Sequence, residues 1–311
     1  MFLRLENVRK EYSGKVAVEA LSLAVPKGVI YGLIGPNGAG KTTTIRMVMN
    51  ITAPDSGHIY FDNQELREHF KDRVGYLPEE RGLYKKMTVE QVILYMAELK
   101  AYPPSKVVPK IGPWLDRMNL PDYRKKKVEE LSKGMQQKLQ FITTIMHEPE
   151  LLILDEMFSG LDPLNMELLK ECILELKRSG TTILFSTHVM EQAEKLCDYI
   201  CMISKGQKVI DGRMSEVKAS FGKNAVQIEV EGDASFVRTL PMVAAVNDFN
   251  NYYELELTPG GNPDDILQAL VGKVRVKRFA LVEPSLYSIF IKMANIDPSE
   301  YTRPSVGVGN G

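Results

Sequence analysis

At 311 residues the chain can bury a sizeable core and suggests about two domains. A hydrophobic share of 44% beside 25% charged residues is ordinary for a folded, water-facing protein, and a net charge of -1 excludes a molecule built mainly to hold polyanions. The charged start Met1-Phe2-Leu3-Arg4-Leu5-Glu6 is unlike a secretory signal and no later stretch approaches about 18 uninterrupted apolar residues, so the chain is expected to stay in the cytosol.

Residues 18–25 and 29–35 read as strands parted by the turn Pro26-Lys27-Gly28. Next comes Gly35-Pro36-Asn37-Gly38-Ala39-Gly40-Lys41-Thr42, followed by Thr43. It fits the phosphate-binding loop pattern in the context that pattern requires, an apolar strand before and a helix after. Its glycines let backbone N–H groups close on phosphate oxygens, and the helix directs its positive end at them. Lys41 is expected to bridge the β- and γ-phosphates of a nucleotide, and Thr42 to ligate Mg²⁺.

A short strand at 58–62 follows the turn Pro54-Asp55-Ser56-Gly57. Thr88 and Gln91 have capping-box spacing, so a helix is expected from there, ending before Pro103-Pro104. Helical signals continue to about 147, with Pro109 and Pro113 leaving the boundaries open. Leu131-Ser132-Lys133-Gly134-Met135 precedes a helix with Leu139, Ile142 and Ile145 on one face. Ser132 and Gly134 then sit at a helix start, where a hydroxyl and free amides can meet an anion; taken alone this is equally an ordinary N-cap.

The pattern changes at 151. Residues 151–154 and 181–185 are continuous apolar runs typical of buried parallel strands. Between them Asp162 and Pro163 suit a helix start, and Lys177, Arg178 and Gly180 a helix end, which together give α/β architecture with a mostly parallel sheet. The first run ends in Asp155-Glu156, where an open α/β sheet places its ligand site. Asp155 can hold Mg²⁺ through water, and Glu156 can take a proton from an attacking water. Cys172, Cys197 and Cys201 lack zinc-site spacing and read as reduced thiols.

From about 212–224 the pattern shifts to alternating strands at 226–230 and 253–257, a helix from about Asp264 and a strand near 274–281, a small α+β unit. The expected division is 1–221, 222–295 and a Pro/Gly/Ser-rich tail at 296–311.

With these motifs in order, residues 3–212 resemble the nucleotide-binding subunits of ATP-binding cassette (ABC) transporters. The resemblance implies a P-loop NTPase core with an antiparallel β subdomain and a helical subdomain at about 85–150. It implies ATP and Mg²⁺ as cofactors and ATP-dependent pairing with a second nucleotide-binding subunit, identical or paralogous. It also implies separate integral membrane transporter subunits at the inner face of the cell membrane, and no nucleic-acid partner. The family's signature, Leu-Ser-Gly-Gly-Gln, stands here with Ser132 and Gly134 kept, the residues that meet the γ-phosphate across the dimer; Lys133 and Met135 depart from it. Ser159-Gly160-Leu161-Asp162 resembles the D-loop, His188 the switch histidine, and Tyr12 the aromatic that stacks on adenine. Where the family has a glutamine after a strand, Val74-Gly75-Tyr76-Leu77-Pro78 is followed by Glu79. Its carboxylate can still offer oxygen to the metal, but it adds a charge and cannot donate an N–H.

Residues 77–84 are similar to a sodium-export-like and drug-export-like branch, and 222–293 to the small C-terminal domain of that branch, with Ser285-Leu286 opening its last helix. Export is therefore expected, and the surface 79–87, with Leu83 and Tyr84 among charges, is expected to dock a helix of the membrane subunit. The basic run Arg124-Lys125-Lys126-Lys127 reads as a solvated face. The alternative is a soluble ABC ATPase acting on ribosomes or nucleic acid. Such proteins resemble tandem cassettes or cassettes split by a long coiled coil, whereas this chain has one phosphate loop, one signature and about 50 residues between Glu79 and Ser132. A metabolite kinase would share the phosphate loop alone.

Overall fold

The computed structural model describes residues 1–66, 68–80, 82–221 and 225–294; the expected tail at 296–311, and Arg81 within the expected docking surface, lie outside them. Two units divide between Asp211 and Gly212. The first contains, in chain order, β1 (Leu3–Tyr12), β2 (Lys15–Val25), β3 (Ile30–Ile34), α1 (Lys41–Val48), β4 (Ser56–Phe61), β5 (Gln64–Glu65), β6 (Val74–Leu77), α2 (Val89–Glu98), α3 (Pro104–Arg117), α4 (Lys133–Ile145), β7 (Leu151–Asp155), α5 (Pro163–Arg178), β8 (Thr182–Thr187), α6 (Met190–Leu196), β9 (Tyr199–Ser204) and β10 (Gln207–Arg213).

The central sheet has the order β10-β9-β3-β8-β7-β6, and its pairs from β9 to β6 are parallel. Every residue of β3 and β7 is buried, as expected for strands covered on both faces. Register aligns the carboxyl ends: Ile34 lies opposite Thr187, Asp155 opposite Ser186, and Leu77 opposite Leu154. Whatever follows β3, β8, β7 and β6 therefore emerges along one edge. A second sheet, β2-β1-β4-β5, is antiparallel; Leu3 faces Val25 and Leu5 faces Leu23, all buried. Register shifts past Leu5 break the alternation of β1, with Asn7 at φ 48°.

Thr88 caps α2 with both halves of the capping box in place. The prolines of α3 do not break it, although Pro109 and Pro113 each remove an internal hydrogen bond. Val107, Ile111 and Leu115, spaced four apart, are fully buried on its inner face, and that burial outweighs the loss. The basic run before α4 is a salt-bridged face: Arg124 pairs with Glu90 at 2.5 Å, Lys126 with Glu130 at 3.5 Å and Lys127 with Glu129 at 3.8 Å. All three cysteines are free and buried. Among the described residues no helix is long and apolar enough to cross a membrane.

The second unit comprises α7 (Met214–Ser220), β11 (Ala225–Glu231), β12 (Val243–Asp248), β13 (Tyr253–Leu257), α8 (Pro263–Leu270), β14 (Arg275–Val282) and α9 (Leu286–Ala294). Its antiparallel sheet has the order β12-β13-β11-β14 over a core of Val226, Ile228, Val237, Leu255, Ile266 and Leu270. Glu254 is buried and accepts hydrogen bonds from the Ser285 amide and hydroxyl, both at 3.2 Å, and from the Ser288 hydroxyl, so its charge faces the start of α9.

His147, just past α4, is buried with its Nε2 3.3 Å from the Val74 carbonyl, which Lys100 Nζ also contacts at 3.0 Å. Burial first, and the Lys100 charge second, push its pKa down to about 4. An unfolded histidine titrates near 6.5, so the neutral fold is favoured fully above about pH 6.5 and loses up to about 3 kcal/mol as pH falls to about 4. Replacing His147 with Gln removes this titration. Urea unfolding at about pH 7 and about pH 5 is expected to show wild type losing roughly 2 kcal/mol more than the variant between the two conditions. Equal losses would show that His147 is not held neutral.

Candidate functional site

The turn from β3 into α1 is set by backbone that only glycine tolerates. Gly40 has φ 108°, and a Cβ there would stand 2.4 Å from the Ala17 carbonyl; at Gly35 it would stand 2.1 Å from the Ile203 carbonyl. The loop 35–40 thus winds tightly onto the first turn of α1, whose N-cap, Gly40, offers no side-chain acceptor to the free amides. Thr44 Oγ1 donates to the Gly40 carbonyl at 2.9 Å.

Lys41 projects back across this loop. Its Nζ, almost wholly buried, donates to the Gly35 carbonyl at 2.8 Å and to Pro36 at 3.1 Å, and lies 3.4 Å from Glu156 Oε1. The other oxygen of Glu156 is 2.8 Å from His188 Nδ1. Parallel register alone brings these three together, since they follow β3, β7 and β8. Glu156 sits at φ 50°, a left-handed conformation that costs a non-glycine residue about 1–3 kcal/mol and persists where surroundings impose it. Its amide donates to the Ser186 carbonyl at 3.0 Å, and its carbonyl accepts from Ser159 at 3.0 Å.

Asp155 is fully buried, and burial raises its carboxyl above the usual range while the neighbouring hydroxyls of Ser186 and Thr42 pull the other way. Neither hydroxyl closes a hydrogen bond to it: both Asp155 oxygens, and Ser186 Oγ, lack a hydrogen-bond partner among the described residues. Oxygens left so, beside Thr42, suit a hard cation with its water shell.

Glu79 lines a cavity of about 220 Å³ together with Glu156, Ser159, Gln137 and Gln140. The two glutamines were not singled out by motif. Gln137 Nε2 donates to the Met157 carbonyl and Gln140 Nε2 to the Glu80 carbonyl at 3.3 Å, so α4 reaches the chain after both β7 and β6. The available signal was Gln137 lying in line with the buried Phe141 and Ile145, four residues apart on α4.

The other expected site residues lie at the starts of α4 and α5, in the turn after β7 and at the end of β1. Ser132 caps α4, accepting from the Met135 amide at 3.3 Å, and a Cβ at Gly134 would meet Asn165 Nδ2 at 4.0 Å. Ser159 and Gly160 are exposed, while Asp162 caps α5 through the Asn165 amide at 3.0 Å. Tyr12, 44% exposed at the end of β1, has Lys10 Nζ 5.6 Å from its ring centre. A groove of about 280 Å³ beneath the chain after β6 is lined by Met49, Tyr76, Leu83, Met96 and His147, among others. Tyr84 beside it packs edge-on against Tyr95 at 5.2 Å yet remains 48% exposed.

Comparison with known proteins agrees with this geometry. Residues 18–159 match the family described as ABC transporter, and residues 212–294 match the C-terminal domain described as ATP-binding protein DrrA1-3-like. An uncharacterized ABC transporter ATP-binding protein of Bacillus subtilis, YhaQ, is 44% identical over 290 residues, covering 93% of this chain and 97% of that protein. Nod factor export ATP-binding protein I of Burkholderia orbicola is 35% identical, covering 71% of this chain and 74% of that one. The solved structure of cbiO1 from Clostridium perfringens, part of the ABC transporter complex cbiONQ, superposes with a TM-score of 0.63 at 25% identity, over 70% of this chain and 90% of that one.

Gly40→Ala adds a methyl group where φ and the Ala17 carbonyl both forbid it. Nucleotide affinity measured by calorimetry is expected to fall about tenfold or more, and unchanged affinity would remove this loop from the binding site.

Proposed function

The chain belongs to the ATP-binding, ATP-hydrolysing proteins of ABC transporters, and on that footing we propose that it drives export through separate membrane subunits by closing on ATP together with a second nucleotide-binding subunit. The observation that carries the reading is the contact of Glu156 with both Lys41 and His188 beside the phosphate loop.

In this reading the amides of 35–43 and the Lys41 ammonium hold the phosphates, and Tyr12 stacks on the base. Asp155, Thr42 and Glu79 hold Mg²⁺, which when bound supplies positive charge to the phosphate oxygens. Lys41, drawn to the phosphates, releases Glu156 Oε1 to accept the proton of the attacking water, while His188 keeps the other oxygen oriented. Ser132, exposed, and Gly134, half-buried, at the start of α4 meet the γ-phosphate of the partner's nucleotide, and Ser159 to Asp162 border that interface. The relative named for Nod factor export supports the direction of transport. The unit from Gly212, whose described residues offer no group of three or more potential metal ligands, assists pairing or regulation.

Glu156→Gln keeps the shape and removes the proton acceptor. Turnover is expected to fall about 10²–10⁴-fold, and light scattering with Mg-ATP to show a lasting dimer that Ser132→Arg abolishes without preventing ATP binding. Near-normal hydrolysis would defeat the base assignment; a slow but strictly monomeric variant would indicate an obligatory different partner.

The groove after β6 is the proposed seat for a cytoplasmic helix of the membrane subunit. Leu83→Asp combined with Tyr84→Ala is expected to release the chain from membranes with ATP affinity unchanged, and membrane retention of that variant would place the docking surface elsewhere.

A further inference from the structure

The turn after β7 holds Glu156 at φ 50°, and a strained peptide relaxes unless its neighbours over-determine it. Backbone bonds to Ser186 and from Ser159 supply part of that restraint. Among the described residues the side chain that fastens the turn is Gln137, through the Met157 carbonyl. Met157 directly follows Glu156, and its carbonyl lies in the peptide joining it to Phe158, so holding that carbonyl restrains the turn one residue beyond Glu156.

The orientation of the carboxamide is not arbitrary. A carbonyl can only accept, so Nε2 faces Met157 and Oε1 faces the opposite way. Among the described residues Oε1 is buried without a hydrogen-bond partner, on a side chain only 6% exposed, and Gln137 lines the cavity of about 220 Å³ shared with Glu79, Gln140 and Glu156. A buried carbonyl oxygen beside a polar cavity of that size has both the need and the room for ordered water, each molecule taking about 30 Å³.

Resting on the assignment of Glu156 as base, we propose that Gln137 is a positioning residue for hydrolysis. Its Nε2 anchors the turn one residue past Glu156 and so restrains the backbone that aims the carboxylate, and its Oε1 holds a water on the side of the cavity that Glu156 and Glu79 share. Because Gln137 lies on the helix that Ser132 begins, the base is aimed from the signature helix and not only from the sheet.

The test uses the purified full chain with Mg-ATP. Gln137→Leu removes both polar ends, and kcat is expected to fall about tenfold to hundredfold, the loss a displaced catalytic group brings, with ATP affinity within about twofold of wild type. A side chain that acts through Glu156 has nothing left to position once the base is gone, so in the Glu156→Gln background Gln137→Leu should cause no further loss. Gln137→Glu preserves the shape and carries the test should the Leu variant fail to fold. It sets an acceptor against the Met157 carbonyl until protonated, so its kcat relative to wild type should rise as pH falls from about 8 to about 6. Wild-type turnover in both variants, or losses that multiply with Glu156→Gln, would overturn the proposal. Normal hydrolysis by Glu156→Gln alone would instead overturn the base assignment, whatever the Gln137 variants do.

Discussion

Two carboxylates taken out of water at the end of one buried strand set the terms for the rest of this site. Asp155 and Glu156 are almost wholly buried, and a buried charge is sustained by partners or by a bound cation. Glu156 has one oxygen hydrogen-bonded to His188 and the other, without a hydrogen bond, within ion-pair reach of Lys41 at 3.4 Å, while neither Asp155 oxygen has a hydrogen bond or an ion pair among the described residues. The difference separates their chemistry, one carboxylate held within the protein and the other open to a hydrated ion.

That arrangement depends on register. β8 lies between β3 and β7, so Lys41 reaches Glu156 past the end of β8, where His188 meets the same carboxylate. A slip of one residue in any of these parallel pairs would turn the terminal side chains to the opposite face. The fully buried strands make such a slip expensive, and the sheet core thereby protects the geometry at its edge.

Alongside its buried apolar residues, α4 is tied to the same edge by polar contacts. Gln137 and Gln140 lie nearly a turn apart on α4 and reach two successive loops, after β7 and after β6. Hydrogen bonds of this sort each contribute only about 1 kcal/mol net, but they are directional, which suits an element that must aim a neighbouring loop. In the second unit another buried carboxylate, Glu254, is satisfied differently, by the hydroxyls and amide at the start of α9. It has an anchoring rather than a reactive environment.

Local chemistry made much of this molecule legible before any coordinates. The Thr88 capping box, the Asp162-Pro163 helix start, the buried runs of β7 and β8 and the phosphate loop are all decided within a few residues, and the structure has each of them. Signals that depend on distant neighbours were weaker. β12 is an Ala-rich edge strand without clear alternation, β1 has its alternation interrupted past Leu5, and the continuity of α3 through two prolines rests on what Val107, Ile111 and Leu115 bury against. The sequence by itself determined which residues are candidates for the site, because glycine, lysine and paired carboxylates have few substitutes in a tight turn and at a strand end. Only the tertiary structure decided that Glu156 is shared between Lys41 and His188, and that Gln137 fastens the turn beside it. Those contacts join residues up to 115 positions apart, Lys41 to Glu156, through strand register and helix packing, which no short window of sequence contains.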